Sequence, residues 1–171
     1  GIQGNSSTTA LLYQRPLWIA PPFNWRFRLG GSRTDSKMVL GEEEIAISDS
    51  RVEKAKAGLE VVLRSNPVYG KLRSMWSNAR SEDEVGEEKE FQAWKGYGLL
   101  IGRPPGTTYP LLEVRAQSMR NDQPPSSELF QLGGVDTVRG HTPGVLAGPG
   151  GVNIRFEVHR RFGGVADTFF F

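Results

Sequence analysis

The chain has 171 residues and a near-balanced charge of +2, from 21 basic and 19 acidic side chains, which excludes the basic stripe of a dedicated nucleic-acid binder. It contains no cysteine, so disulfide frameworks, thiolate nucleophiles and cysteine-held zinc are excluded together. Apolar residues make up 37%, while 21 Gly and 11 Pro account for nearly a fifth, a mixture that suits many strands joined by turns better than a helical bundle.

Taken in chain order, residues 1–7 have neither a charged n-region nor an apolar h-region and do not read as a signal peptide. Residues 8–18 are the first predicted strand. In 23–29, Phe23, Trp25, Phe27 and Leu29 alternate with Asn24, Arg26 and Arg28, giving one apolar and one polar face. Gly30-Gly31-Ser32 predicts a turn, and 38–47 a further strand. Residues 51–64 carry two periods. Ser50 and Glu53 form a capping-box pattern ahead of Val52, Ala55, Leu59, Val62 and Leu63 at helical spacing, yet Ala55, Ala57, Leu59, Val61 and Leu63 also alternate. A strand is expected here, because its predicted neighbours are strands and a helix would need cover of its own.

Strands follow over 68–76 and 91–101, separated by an acidic stretch, 81–90, that reads as a solvated loop. Arg103-Pro104-Pro105-Gly106 predicts a turn before 112–117, where Leu112, Val114 and Ala116 oppose Glu113, Arg115 and Gln117. The clearest alternation lies in 152–161, with Val152, Ile154, Phe156 and Val158 on one face and Asn153, Arg155, Glu157, His159 and Arg161 on the other. Residues 165–171 are the last candidate strand. No apolar run reaches the roughly 18 residues of a membrane-crossing helix, but a barrel strand needs only about 9–11 residues of alternating character. Alternation alone fits a soluble β-sandwich as well.

The most informative stretch is Ser127-Glu128-Leu129-Phe130-Gln131-Leu132-Gly133-Gly134-Val135-Asp136-Thr137-Val138-Arg139-Gly140-His141. It resembles the segment of the BamA/TpsB superfamily in which a strand ends in Glu-x-Phe-x-Leu-Gly-Gly and the sixth extracellular loop begins with Val-Arg-Gly-Tyr/Phe. Physically, Gly133 and Gly134 permit a sharp turn off a strand, and Gly140 a close backbone beside Arg139. Arg139 then stands near the tip of a Gly/Pro-rich loop, where a permanent guanidinium can be buried only against acceptors, ideally carboxylates. His141 departs from the aromatic residue usual in the family. Residues 153–158 are similar to the family's next strand, whose inward acid would be Glu157. Residues 165–171 look like the start of the strand after it and stop before that strand's Asp and Gly, so Phe171 is expected to be an internal residue.

The resemblance implies an all-β fold. Residues 1–171 would be a portion of one antiparallel transmembrane β-barrel, sixteen-stranded when complete, with a lumen-directed loop at about 133–151. It implies an outer membrane, bacterial or the outer envelope of a plastid or mitochondrion, and a role in inserting or translocating proteins, as in two-partner secretion or outer-membrane assembly. The expected partners are membrane lipid, unfolded client polypeptides and accessory assembly subunits, with no nucleic acid. The functional loop would comprise Gly133, Gly134, Val138, Arg139, Gly140 and His141, with Glu157 as lumen counter-charge. Trp18, Trp25, Trp76 and Trp94 are candidates for aromatic girdles, against simple core packing. No enzyme, metal or cofactor is expected. Gly148-Pro149-Gly150-Gly151 lacks the Lys-Ser/Thr of a phosphate loop, no serine sits in a nucleophile elbow, and His141 and His159 have no ligand cluster around them. The alternatives are a soluble β-sandwich or small-barrel binding module and a passive porin-like channel.

Overall fold

The computed structural model describes residues 2–40, 45–82, 87–102, 107–120, 124, 125, 128–134, 142, 144–162 and 166–170. The elements are β1 (Ile2–Ala20), β2 (Phe23–Leu40), β3 (Ile45–Ser65), β4 (Val68–Glu82), β5 (Glu88–Gly102), β6 (Thr108–Arg120), β7 (Phe130–Leu132), β8 (Leu146–Gly148), β9 (Gly151–Phe162) and β10 (Ala166–Phe170). Eight of them form one sheet in the order β1-β2-β3-β4-β5-β6-β9-β10, with every neighbouring pair antiparallel. β7 and β8 pair with each other outside that sheet. The large sheet is open at β1 and β10 among the described residues.

Connections at one end are tight: Pro21-Pro22 and Asn66-Pro67, each with a cis peptide bond. At the other end lie the connection from β4 to β5 and the long segment 121–150 that holds β7 and β8. β1 to β3 run for 18 to 21 residues, about twice what a membrane-crossing strand needs.

The alternation puts apolar side chains on one face and charge on the other, and burial is inverted relative to a soluble protein. Leu72, Ile154 and Phe156 are 60%, 67% and 57% exposed, whereas Glu60, Glu113 and Glu157 are 3%, 4% and 2% exposed. A sandwich would cover its aromatic stripes; here Phe23 and Trp25 on β2 stand open at 44% and 43%, as do Ile154 and Phe156 on β9. The buried apolar cluster is small: Val52, Ala79 and Phe91, with Met119 against it.

Further along β2, β3 and β4 the apolar face turns charged. Asp35 meets Arg33 at 3.1 Å and Arg51 at 2.9 Å, and Arg80 meets Glu90 at 2.8 Å, all on exposed side chains. These exposed pairs add little stability individually but define where the apolar band ends. All four tryptophans stand on the apolar face, in two cross-strand pairs, Trp18 opposite Trp25 and Trp76 opposite Trp94. The Trp94 ring lies over Gly96, where a Cβ would come within 2.8 Å of it, and its Nε1 donates to Ser74 Oγ at 2.9 Å.

Residues 51–64 are strand, as expected, bonded on both sides, since β2 and β4 supply the partners that a lone helix would lack. Other sequence expectations change. Gly30-Gly31-Ser32 is no turn but the middle of β2, paired with β1 and β3. Glycine there permits close approach, because a Cβ on Gly30 would sit 2.9 Å from Leu11 O and 3.0 Å from Lys56 Cε. Residues 38–47 are not one strand: Met38, Val39 and Leu40 end β2 and pair with Ser48, Ala46 and Ile45 at the start of β3. The acidic stretch 81–90 contributes its ends to β4 and β5, where Glu88 and Glu90 face Arg80. Arg103, Pro104, Pro105 and Gly106 lie outside the described residues.

Candidate functional site

The charged face of the sheet is organised around buried carboxylates. A carboxylate withdrawn from water must recover its hydration through charged hydrogen bonds, so each gathers cations. Glu60 on β3 accepts from Arg28 Nη1 of β2 at 2.8 Å and from Arg73 Nε and Nη2 of β4 at 2.9 and 2.7 Å. Lys71 at 3.5 Å and Arg26 at 3.6 Å complete a group of four cations about one acid. Register produces this arrangement, because Arg26 and Arg73 are the direct cross-strand neighbours of Glu60.

A second group spans β6 and β9. Glu113 accepts from Arg115 Nε at 2.6 Å and also meets Arg155, its cross-strand neighbour. Glu157 Oε2 lies 2.8 Å from His159 Nε2, whose N–H it accepts in the tautomer that carries the proton there, and Glu157 Oε1 lies 3.7 Å from Arg155 Nε. The His159 ring stacks on Tyr109, with centroids 5.1 Å apart, and the Arg161 guanidinium lies 5.9 Å from the Tyr109 centroid.

The segment between β6 and β9 reaches back onto this face. Glu128 accepts from Lys54 Nζ of β3 at 2.5 Å and from Lys95 Nζ of β5 at 3.3 Å, while Gln117 Nε2 of β6 donates to its carbonyl at 2.8 Å. One short stretch is thereby tied to three strands. Phe130 packs over Gly151, where a Cβ would lie 2.4 Å from the ring. Gly133 and Gly134 directly follow β7 at φ of 113° and 84°, the left-handed region that disfavours side chains. A Cβ on Gly133 would also fall 2.2 Å from Thr142 O.

Burial alone would raise the Glu128 carboxyl; the hydrogen bond and charge of Lys54, then the Lys95 ammonium, outweigh it and hold the group below its ordinary value of 4.5. A depressed folded-state value means the contact stabilises fully above about pH 4.5 and is lost as pH falls through the lower folded value. Limited proteolysis of segment 121–150 should therefore be slow at neutral and mildly acidic pH and accelerate only below that range. Uniform cleavage from pH 7 to 3 would contradict the tether.

Of the residues expected to act, Gly133, Gly134 and Glu157 are seen as above, with Glu157 nearly inaccessible. Val138, Arg139, Gly140 and His141 lie outside the described residues. The lead-in strand 130–132 pairs with β8 instead of joining the large sheet. Sequence reasoning assigned no role to Glu60 or Glu113, and Glu128 entered only as the lead-in acid of the Glu-x-Phe motif. For Glu113 a signal was available, an acid two residues from an arginine on the same strand face; for Glu60 none was, because its cations sit on β2 and β4.

The chain shares its fold with CdiB from Escherichia coli. The two structures superpose with a TM-score of 0.78 at 17% sequence identity, over 93% of this chain and 31% of CdiB. The chain thus spans about a third of the length of CdiB, and at this identity the likeness is one of fold. No protein-family model matches the sequence, and no curated protein matches it.

Proposed function

We propose that the chain is a section of an outer-membrane β-barrel, sixteen-stranded when complete, that conducts or inserts unfolded polypeptide. The carrying observation is the inverted burial: an apolar face 60% and 67% open at Leu72 and Ile154, backed by a face of buried, ion-paired acids. Hydrocarbon accepts the first face and a water-filled lumen the second, and only helices or closed barrels satisfy the backbone in a bilayer. The likeness to CdiB, a TpsB transporter, supports the same reading from the fold. It agrees with the resemblance carried by residues 127–141.

In this reading the tight turns at Pro21-Pro22 and Asn66-Pro67 face the periplasmic side, the ends of β2 to β4 project from the outer surface, and the tryptophan pairs form parts of the girdles. The work is steric and electrostatic, without chemical catalysis: client chain moves along the charged face or pairs with barrel strands, with lipid outside and accessory assembly subunits as further partners. In the same reading Arg139, which lies outside the described residues, would pair with Glu157 and join the Arg155 and His159 network.

The test is a double-mutant cycle read by outer-membrane assembly and client export. Arg139→Ala and Glu157→Ala should each impair both, and the double variant should lose clearly less than the sum. Arg139→Lys should restore only part, since an ammonium lacks the planar fork. Additive losses would remove Arg139 and Glu157 from a shared role.

A further inference from the structure

The charged face carries a large excess of positive charge around a recess of about 370 Å³, lined among others by Arg28, Lys54, Lys56, Arg73, Lys95 and Tyr97. Including Lys71 and Arg26, seven cations surround two carboxylates, Glu60 and Glu128. Lys56 makes no ion pair among the described residues, and its stem passes close to Gly30, where a side chain would obstruct it. Such a concentration of like charge in a concavity attracts anions and is unfavourable when left empty.

Two observations specify the anion. First, the molecule already places one there: Glu128 leaves the segment between β6 and β9 to lie on Lys54 and Lys95. The ligand chemistry these lysines accept is a carboxylate on a peptide. Second, the cations recur at alternate positions along their strands, as Arg26 and Arg28, Lys54 and Lys56, Lys71 and Arg73. Alternate residues of a strand lie roughly 6.6 Å apart, the repeat of alternate side chains on any extended peptide. A segment with Asp or Glu at every second position can match that repeat along its length; a compact anion can take only one step of it.

We propose that this recess is a docking site for an extended acidic peptide segment of the client, and that Glu128 is a built-in occupant which the segment displaces. The proposal rests on the reading that unfolded polypeptide passes along this face. Displacing Glu128 frees the tether on segment 121–150, so arrival of the acidic segment and release of that segment become one event.

The test uses the full-length protein in detergent and a fluorescein-labelled peptide of five Glu-Ser repeats, followed by anisotropy, with inorganic phosphate and a Lys-Ser repeat as comparisons. Saturable binding of the Glu-Ser peptide is expected, weakened at least tenfold in Lys56→Gln/Lys95→Gln. Glu128→Gln, which removes the competitor, should tighten binding several-fold, a direction that a merely structural Glu128 would not give. Should the double variant fail to assemble, Lys56→Gln alone, which breaks no ion pair among the described residues, should still weaken binding a few-fold. Absent binding, unchanged affinity in the lysine variants, weaker binding in Glu128→Gln, or displacement by phosphate at equal concentration would each overturn the proposal, the last by making this a small-anion site. Binding is measured apart from export. A protein that binds the peptide but exports nothing keeps the site and loses the transport reading; one that exports without binding does the reverse.

Discussion

Phe156→Arg is expected to block membrane assembly. Phe156 lies in the exposed apolar stripe of β9 between Ile154 and Val158, and its side chain is 57% exposed on a face that lipid would cover. An arginine facing hydrocarbon costs about 2–4 kcal/mol near the bilayer midplane. The measurable result is loss of the folded, heat-modifiable band from the outer-membrane fraction. Asn153→Ala, on the opposite face of the same strand, should assemble nearly normally. Arg155→Ala differs again, because it leaves Glu113 and Glu157 short of a cation they share. Equal damage from Phe156→Arg and Asn153→Ala would argue that both faces of β9 see the same solvent.

Glu60→Ala should be the most damaging change on the charged face. It removes the one acid about which Arg26, Arg28, Lys71 and Arg73 converge and leaves four cations in mutual repulsion. Breaking a buried ion pair by deleting one partner typically costs about 3–5 kcal/mol, and the partial solvent exposure of Arg26 and Arg73 should hold the loss toward the lower end. Thermal melting in detergent reads this directly, and raised salt should recover part of the loss by screening the exposed members. An unchanged melting temperature would mean that the four cations are independently solvated and that Glu60 organises nothing.

The parts of the fold that were legible in the sequence are those where one strand states its own pattern. Residues 152–159 alternate without interruption, and β9 follows them with its apolar side exposed and its acid buried. Glycine misled where it serves tertiary contact: Gly30 is a mid-strand residue making room for Leu11 O and the Lys56 stem, a need set by strands distant in sequence. The run 38–47 misled because both arms of a hairpin tip are apolar, so one strand and two are indistinguishable without register. In the candidate site, the place of Glu157 on the polar face was legible from the alternation of its own strand, with Arg155 and His159 two residues away on either side. Glu60 was not, because its cations converge from β2 and β4, and neither was Glu128, whose role appears only when its segment returns to Lys54 and Lys95.

The most direct measurement of the central claim, that polypeptide travels along the charged face, is site-specific photocrosslinking in living cells. A photoreactive benzoylphenylalanine replaces Tyr97, which lines the charged recess, or Trp76, which stands on the apolar face. During active export, illumination should yield a high-mass adduct containing a secreted polypeptide from position 97 and none from position 76. Adducts from position 76 but not 97, or no polypeptide adduct at position 97 while export proceeds, would contradict passage along this face.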